Sequence, residues 1–134
     1  MVRRSRRRAG LLILATLIGA ILVTGVRAVN PMARCWARGA FSATRWAAAA
    51  APGKNLSDRG CMVDNLLKKH DFSGWTRDSV IALLGQPPKT DYFTDYDLVY
   101  WLGPERSVIR MDSEWLVFRL DSAERVREYR LVTD

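Results

Sequence analysis

The sequence predicts an α+β fold in which two helices pack on a three-stranded antiparallel sheet in the order ααβββ, preceded by an N-terminal transmembrane or signal helix. Three observations predict it: an uncharged run behind a cluster of arginines, two capped helical segments, and three later segments rich in aromatic and branched residues. At 134 residues the chain has room for one small domain and its accessories. We divide it into a signal-anchor or signal peptide (1–28), a juxtamembrane linker (29–54) and an α+β domain (55–134).

The first segment carries the signals of membrane targeting. Residues 1–8 include five arginines, and Ala9 to Val26 run for 18 residues without a charge. As a helix this run is ~27 Å long, close to the thickness of the hydrocarbon core of a bilayer. Arginines on one side only predict a cytoplasmic N-terminus. We expect a single-pass inner-membrane anchor with the C-terminal domain in the periplasm. The alternative is cleavage near Ala28 and release into the periplasm.

The positive charge of the chain is concentrated in this segment. The net charge is +7, yet six of the 21 basic residues and none of the acidic ones precede Val29. The remainder has 15 basic against 14 acidic residues, a net charge of +1. A nearly neutral domain has little electrostatic attraction for phosphates, so we expect no nucleic-acid partner.

The linker is rich in Ala and Arg and contains Trp36, Phe41 and Trp46. Two interpretations remain open for it. It is either partly helical and held on the lipid headgroups by its Trp and Arg side chains, or a loosely ordered connector.

The two cysteines, Cys35 and Cys61, both follow the membrane segment. In an oxidising periplasm they could pair, which the chain-entropy argument values at roughly 3 kcal/mol. Two unrelated thiols are the alternative. With a single His and no Cys-x-x-Cys, we expect neither a metal site nor a cofactor.

The first predicted helix runs from Asp58 to about Lys69. Ser57 is its predicted N-cap, and the acidic start and basic end suit the helix dipole. Its apolar face repeats at helical spacing and consists of Met62, Val63, Leu66, Leu67 and His70.

The second predicted helix follows Thr76 and ends at Leu84. Thr76 is the predicted cap, and Trp75 with Val80 occupies the two positions of a hydrophobic staple. Gly85 suits the left-handed residue that ends a helix, and the prolines behind it prevent the helix from resuming.

Three predicted strands complete the chain. They cover Leu98–Leu102, Trp115–Leu120 and Val126–Val132, and apolar residues alternate along the central one so that at least one of its faces is buried. The polar residues 121–124 form a short turn, so we expect the last two strands to pair as a hairpin.

Two stretches resemble a family signature. Gly74-Trp75-Thr76-Arg77-Asp78-Ser79-Val80 and Leu84-Gly85-Gln86-Pro87 resemble the pattern G-M-[ST]-x-x-[EQ]-V-x-x-x-L-G-x-P of the SmpA/OmlA (BamE-like) family. Three later stretches look similar to small uncharacterised relatives of that superfamily: 100–103, 112–116 and 129–134. The resemblance covers residues 58–134.

The resemblance implies two helices against a three-stranded antiparallel sheet, in agreement with the element order above. It also implies a role in the cell envelope, because the family includes an outer-membrane lipoprotein of the protein assembly machine. Trp75 stands where the signature has Met, and Ser79 where it has Glu or Gln. The sequence has no counterpart of the acylated cysteine of that lipoprotein. The resemblance therefore supports the fold more strongly than an outer-membrane location.

Five aromatic residues form the candidate interaction surface. Two interpretations of them are open. Either they lie on an exposed face of the sheet and form a binding surface, or they complete the core and cover a sheet edge. They are Tyr92, Phe93, Tyr96, Tyr100 and Trp101.

The sequence favours a binding role over catalysis. His70-Asp71 is the only His–carboxylate pair, and no nucleophile stands in a recognisable context, so we assign no catalytic residue. We expect a membrane-tethered, envelope-facing binding or scaffold protein whose partner is another envelope protein. An exported inhibitor-like domain is the first alternative, and an unrecognised enzyme is the second.

Overall fold

The computed structural model describes residues 35, 38–49, 58–106 and 111–134. Within these ranges it forms three helices and three strands: α1 (Ala43–Ala48), α2 (Asp58–Lys69), α3 (Arg77–Leu84), β1 (Leu98–Pro104), β2 (Ser113–Leu120) and β3 (Val126–Thr133). The predicted membrane segment, its cleavage site and the Ser57 cap lie outside the described residues. In the part of the chain that is described, no helix combines the length and apolarity needed to span a bilayer.

The α+β class and the three-stranded antiparallel sheet are confirmed. The sheet has the order β1-β2-β3, with both neighbouring pairs antiparallel. The strands begin or end one or two residues beyond the predicted bounds. The hairpin between β2 and β3 is also confirmed, and Asp121 holds its turn by accepting hydrogen bonds from the backbone N–H groups of Ala123 and Arg125.

The helix α2 lies on the sheet through a fully buried stripe of Met62, Val63 and Leu66. It approaches β1 so closely that a Cβ on Gly60 would lie 3.1 Å from the carbonyl oxygen of Leu102. A glycine at this position therefore sets the distance between helix and strand.

The helix α3 begins as predicted. The Thr76 hydroxyl accepts a hydrogen bond from the N–H of Ser79 at 3.2 Å, and Val80 is buried with Trp75 packed against the same core. Gly85 has a φ of 78°, and its N–H donates to the carbonyl of Ile81 at 2.7 Å. The cap and the glycine therefore fix both ends of a helix of only eight residues.

The helix α1 lies inside the segment predicted as a linker. Its six residues are too few to be stable alone, so its stability comes from packing. The Trp46 ring is fully buried in the main core, 6.5 Å from the ring of Tyr100 between centroids. The Arg59 Nε of α2 donates to the carbonyl of Trp46 at 2.9 Å. The structure thus adds a third helix to the predicted two.

A disulfide joins Cys35 to Cys61 on α2, with the Cα atoms 4.9 Å apart. Both cysteines are buried. Beyond the disulfide, the N–H of Phe41 donates to the side-chain oxygen of Asn65 at 2.8 Å. Residues 38–49 are therefore fastened to α2 at several points.

Arg106, which follows β1, forms ion pairs with Glu114 on β2 and Asp64 on α2. Its Nε and Nη2 donate to the Glu114 carboxylate at 2.7 and 2.8 Å, and its Nη1 donates to Asp64 at 2.6 Å. Burial acts to lower the pKa of Arg106, but the hydrogen bonds that Arg106 donates to Glu114 and Asp64 outweigh it, and the pKa is raised. The end of β1, the start of β2 and α2 meet at this guanidinium.

Both faces of the sheet are apolar, because successive side chains along a strand point to opposite faces. The first face packs beneath the helices and carries Leu98, Tyr100, Leu102, Leu116, Phe118 and Leu120. The opposite face, called the second face below, carries Val99, Trp101, Trp115, Val117 and Val132.

Candidate binding site on the second face of the sheet

The segment between α3 and β1 partly covers the second face. It contributes Phe93 and Tyr96, which pack with Val99, Trp115 and Val117 in a small apolar cluster. Among the described residues, helices cover only the first face, and residues 85–97 are the main cover of the second.

A turn with an unusual backbone places these aromatic rings. Phe93 has a φ of 54°, in the left-handed region that bulky residues rarely adopt. Its carbonyl accepts a hydrogen bond from the N–H of Tyr96 at 2.9 Å, which closes the turn. A non-glycine residue there costs of order 1–3 kcal/mol, so the surrounding packing must hold it. The Phe93 ring meets Trp115 edge-on, with centroids 5.9 Å apart.

Beside this cluster lies an open cavity of about 330 Å3. That volume is at the lower end of the roughly 300–1,000 Å3 typical of small-ligand sites. The cavity is lined by Pro88, Lys89, Thr90, Tyr92, Trp101, Ser113, Trp115 and Asp134.

Two stacked rings form the most distinctive wall of the cavity. Tyr92 lies over Trp115 with centroids 5.3 Å apart and an interplanar angle of 29°. Tyr92 is 53% exposed, whereas Trp115 is only 6% exposed. Tyr92 and Met111 are the two large apolar side chains that stay exposed among the described residues.

The polar groups of the cavity are few and unequally satisfied. The Trp115 Nε1–H is buried and has no hydrogen-bond partner among the described residues. The Thr90 hydroxyl accepts from the N–H of Tyr92 at 3.1 Å, and an Asp134 carboxylate oxygen accepts from the N–H of Ser113 at 2.7 Å. Thr90 and Asp134 thus already accept backbone N–H groups, while the buried indole N–H of Trp115 lacks a partner among the described residues.

The charges at the cavity balance. Among the described residues, Lys89 and Asp134 are the ionisable groups of the lining besides Tyr92, and their side chains have opposite charges. Further along the second face, Tyr96 lies between two guanidinium groups: Arg119 is 4.4 Å from the ring centroid, and Arg130 Nε donates to the hydroxyl at 2.8 Å.

The five aromatic residues of the candidate surface do not lie together. Tyr92, Phe93, Tyr96 and Trp101 belong to the second face, with Tyr92 and Trp101 at the cavity. Tyr100 lies on the first face, fully buried, and its hydroxyl donates to the carbonyl of Gly85 at 2.8 Å. Burial raises the pKa of Tyr100.

Trp115 was not predicted to be a site residue. From the sequence it was expected only as the first residue of the central strand. The usable signal was the alternation along that strand, because Trp115 and Val117 occupy the opposite face from Leu116 and Phe118.

His70 and Asp71 have structural partners. The His70 ring contacts the rings of Phe41, Phe72 and Trp75 at centroid distances of 5.8–6.0 Å. Asp71 accepts hydrogen bonds from the hydroxyl and N–H of Ser73, which lower the pKa of its carboxyl group. Within the described ranges, no three His, Cys, Asp or Glu residues cluster as metal ligands would.

No family model, curated protein or solved structure matches this chain. The resemblance to the SmpA/OmlA family therefore stays a prediction from the sequence.

Proposed function

We propose that this protein is an envelope-facing binding module, tethered to the inner membrane by residues 1–28, and that the cavity on the second face binds a partner protein. The observation that carries the proposal is the pairing of an exposed aromatic ring, Tyr92, with a buried donor that lacks a partner, Trp115 Nε1–H.

The unpaired Trp115 N–H supports the hypothesis that a partner binds at this cavity. A buried N–H without an acceptor costs about 1–3 kcal/mol, and native structures keep few of them. An acceptor on a bound partner would recover that free energy. Tyr and Trp side chains are enriched at protein interfaces and contribute most at their centres, so an exposed Tyr stacked on a Trp suits such a site.

The charge balance narrows the class of partner. A polyanion such as a nucleic acid needs several basic groups at its site, and the cavity has one Lys opposite one Asp. A neutral partner surface suits the cavity better.

Binding fits the lining residues better than catalysis does. The hydroxyls of Thr90 and Ser113 are the alcohols at the cavity, and its described lining contains neither His nor Cys. His70 packs in the aromatic group around Phe72, which belongs to the core on the first face. An activated nucleophile would need a base within hydrogen-bonding reach.

Kinship with the SmpA/OmlA family is part of the proposal. The capped helix α3, the glycine at its end and the meander of three strands support it. The envelope location is supported by the arginine cluster and apolar run of residues 1–28. The disulfide between Cys35 and Cys61 suits an oxidising compartment.

The test is site-specific photo-crosslinking of the full chain in intact cells. A photoreactive amino acid is placed at Tyr92 and, as a control, at Ser122, which is exposed in the hairpin turn. We expect one envelope protein to be captured from position 92 and not from position 122, as identified by mass spectrometry. Equal adducts from both positions, or none from position 92, would contradict a binding role for the cavity.

The same samples test the tether. We expect the protein in the inner-membrane fraction with its N-terminal segment retained. Recovery as a soluble protein that begins at Val29 would contradict the proposed membrane anchor. The binding role would then be judged from the crosslinking result alone.

A further inference from the structure

The chemistry of the cavity indicates which kind of partner segment it accepts. We propose that it binds a short proline-rich segment in the polyproline II conformation, an inference that rests on the proposed function of this site.

The walls suit proline rings. Pro88, Tyr92 and Trp101 line the cavity together with Trp115, so apolar ring faces dominate its surface. Proline-rich segments dock in aromatic-lined grooves of this kind. The polyproline II helix has three residues per turn and a rise of about 3.1 Å per residue, so its rings project at short regular intervals. A cavity of about 330 Å3 accommodates only a few such rings.

The hydrogen-bonding groups suit a ligand that is rich in acceptors and poor in donors. Trp115 Nε1–H lacks an acceptor, whereas Thr90 Oγ1 and one oxygen of Asp134 already accept backbone N–H groups. Proline contributes a carbonyl but no N–H. In polyproline II these carbonyls make no internal hydrogen bonds, so they are available to the indole.

Trp115 Nε1 is screened from solvent in the free protein. A ligand carbonyl therefore reaches it only if a neighbouring group shifts. Tyr92 is the ring stacked on Trp115, and half of its surface is already exposed. The proposal therefore requires a rotation of Tyr92, which would leave its ring beside the incoming prolines.

The conformational entropy lost when the ligand becomes ordered also favours a proline-rich segment. Polyproline II is largely preformed in proline-rich chains, so little conformational entropy is lost on binding. A shallow site can therefore retain such a segment, whereas a flexible peptide of the same length would lose more entropy there.

The experiment measures peptide binding to the full chain in a mild detergent by isothermal titration calorimetry. The probes are a ten-residue polyproline peptide, a Gly-Ser peptide of equal length, and a soluble N-acetylglucosamine oligomer. We expect polyproline to bind at least tenfold more tightly than either of the others. In ¹H–¹⁵N spectra the indole N–H of Trp115 shifts on addition of polyproline, while that of Trp75 does not.

Three variants locate the binding. Trp115→Phe keeps an aromatic ring and removes the donor, and it weakens binding about fivefold, as expected for one hydrogen bond. Tyr92→Ala removes an exposed ring, so the fold is retained, and it weakens binding by roughly tenfold or more. The control is Tyr129→Phe, which removes a hydroxyl that contacts Asp71 away from the cavity, and it leaves binding unchanged.

Polyproline binding no tighter than Gly-Ser binding overturns the proposal, as does preferential binding of the sugar oligomer. Equal effects of Trp115→Phe and Tyr129→Phe also overturn it. If position 92 still captures an envelope protein in cells, the proposed function stands and only the ligand class is wrong. If both experiments fail, the cavity is not a binding site.

Discussion

The guanidinium carbon of Arg59 lies 5.1 Å from the centroid of the Trp46 ring, in a position where the Arg side chain is almost fully buried. Burial lowers the pKa of Arg59, so the charged group depends on its neighbours for stabilisation. Its Nε donates to the Trp46 carbonyl, and its charge is 5.9 Å from the Tyr100 ring. One cation therefore connects α1, α2 and β1.

Replacing Arg59 by Lys should destabilise the protein by about 2 kcal/mol. Lysine keeps the charge but loses the planar group that bonds the Trp46 carbonyl and stacks on its ring. Urea denaturation monitored by Trp fluorescence measures the change. Arg127→Lys, at an exposed site on β3, is the control and should stay within about 0.5 kcal/mol. Equal stability of the two variants would show that the guanidinium geometry is unimportant.

Breaking the disulfide should lower the free energy of unfolding by about 2–4 kcal/mol. The bond connects residues 26 apart in sequence, and its loss removes the constraint on the loop between them in the unfolded state. The measurement is the midpoint of thermal unfolding with and without dithiothreitol. The double variant Cys35→Ala, Cys61→Ala should unfold like the reduced protein and should not respond to the reductant. If dithiothreitol lowered the unfolding midpoint of that variant, the loss of stability would have a cause other than the disulfide.

Stability should fall as pH rises above about 10, because burial raises the pKa of Tyr100 above the ordinary value of 10.0 for a tyrosine. Between the unfolded and the folded pKa, the folded state keeps a proton that the unfolded state has released. The contribution is therefore complete below pH 10 and is lost with a slope of about 1.4 kcal/mol per pH unit above it.

Tyr100→Phe isolates this group from the other tyrosines and the lysines. The variant loses the hydrogen bond to the Gly85 carbonyl, so it should be less stable at pH 7. Its loss of stability between pH 9 and 11 should be shallower than that of the wild type in urea titrations. Parallel curves would mean that Tyr100 does not contribute to the pH dependence.

Trp115→Phe should change the stability of the free protein by less than about 1 kcal/mol. The smaller ring buries less apolar area, but the substitution also removes a buried donor that lacks a partner. Val117→Ala, on the same strand and face, removes only apolar packing and should cost about 2 kcal/mol. Comparable losses in urea denaturation for both variants would indicate that the Trp115 N–H is satisfied in the folded protein.

The elements that local patterns specify were predicted well. Thr76 caps α3 and Gly85 ends it because their effects act within a few residues, and the polar turn at 121–124 has the same local character. A partly helical linker was one of the two interpretations left open, but the packing of α1 in the core was not predicted, for the opposite reason. Trp46 is buried only because α2 and Tyr100 lie next to it, and a short Ala-rich segment gives no local sign of those contacts.

The five aromatic residues of the candidate surface show a second limit of prediction from the sequence. Tyr100 and Trp101 were grouped by their closeness in sequence, although neighbours on a strand must face opposite sides of the sheet. The pleat alone could have separated them. The stacking of Tyr92 on Trp115 could not have been foreseen, since it depends on how residues 85–97 fold back over the second face.

The position of the disulfide has a mechanical consequence for a membrane-tethered domain. Tension applied through the proposed anchor enters the described part of the chain at Cys35 and passes directly through the sulfur bridge to Cys61 on α2. The residues between the two cysteines, with α1 and the buried Trp46 among them, form a loop outside that path. A pull from the bilayer would therefore act on the central helix of the domain without drawing Trp46 out of the core.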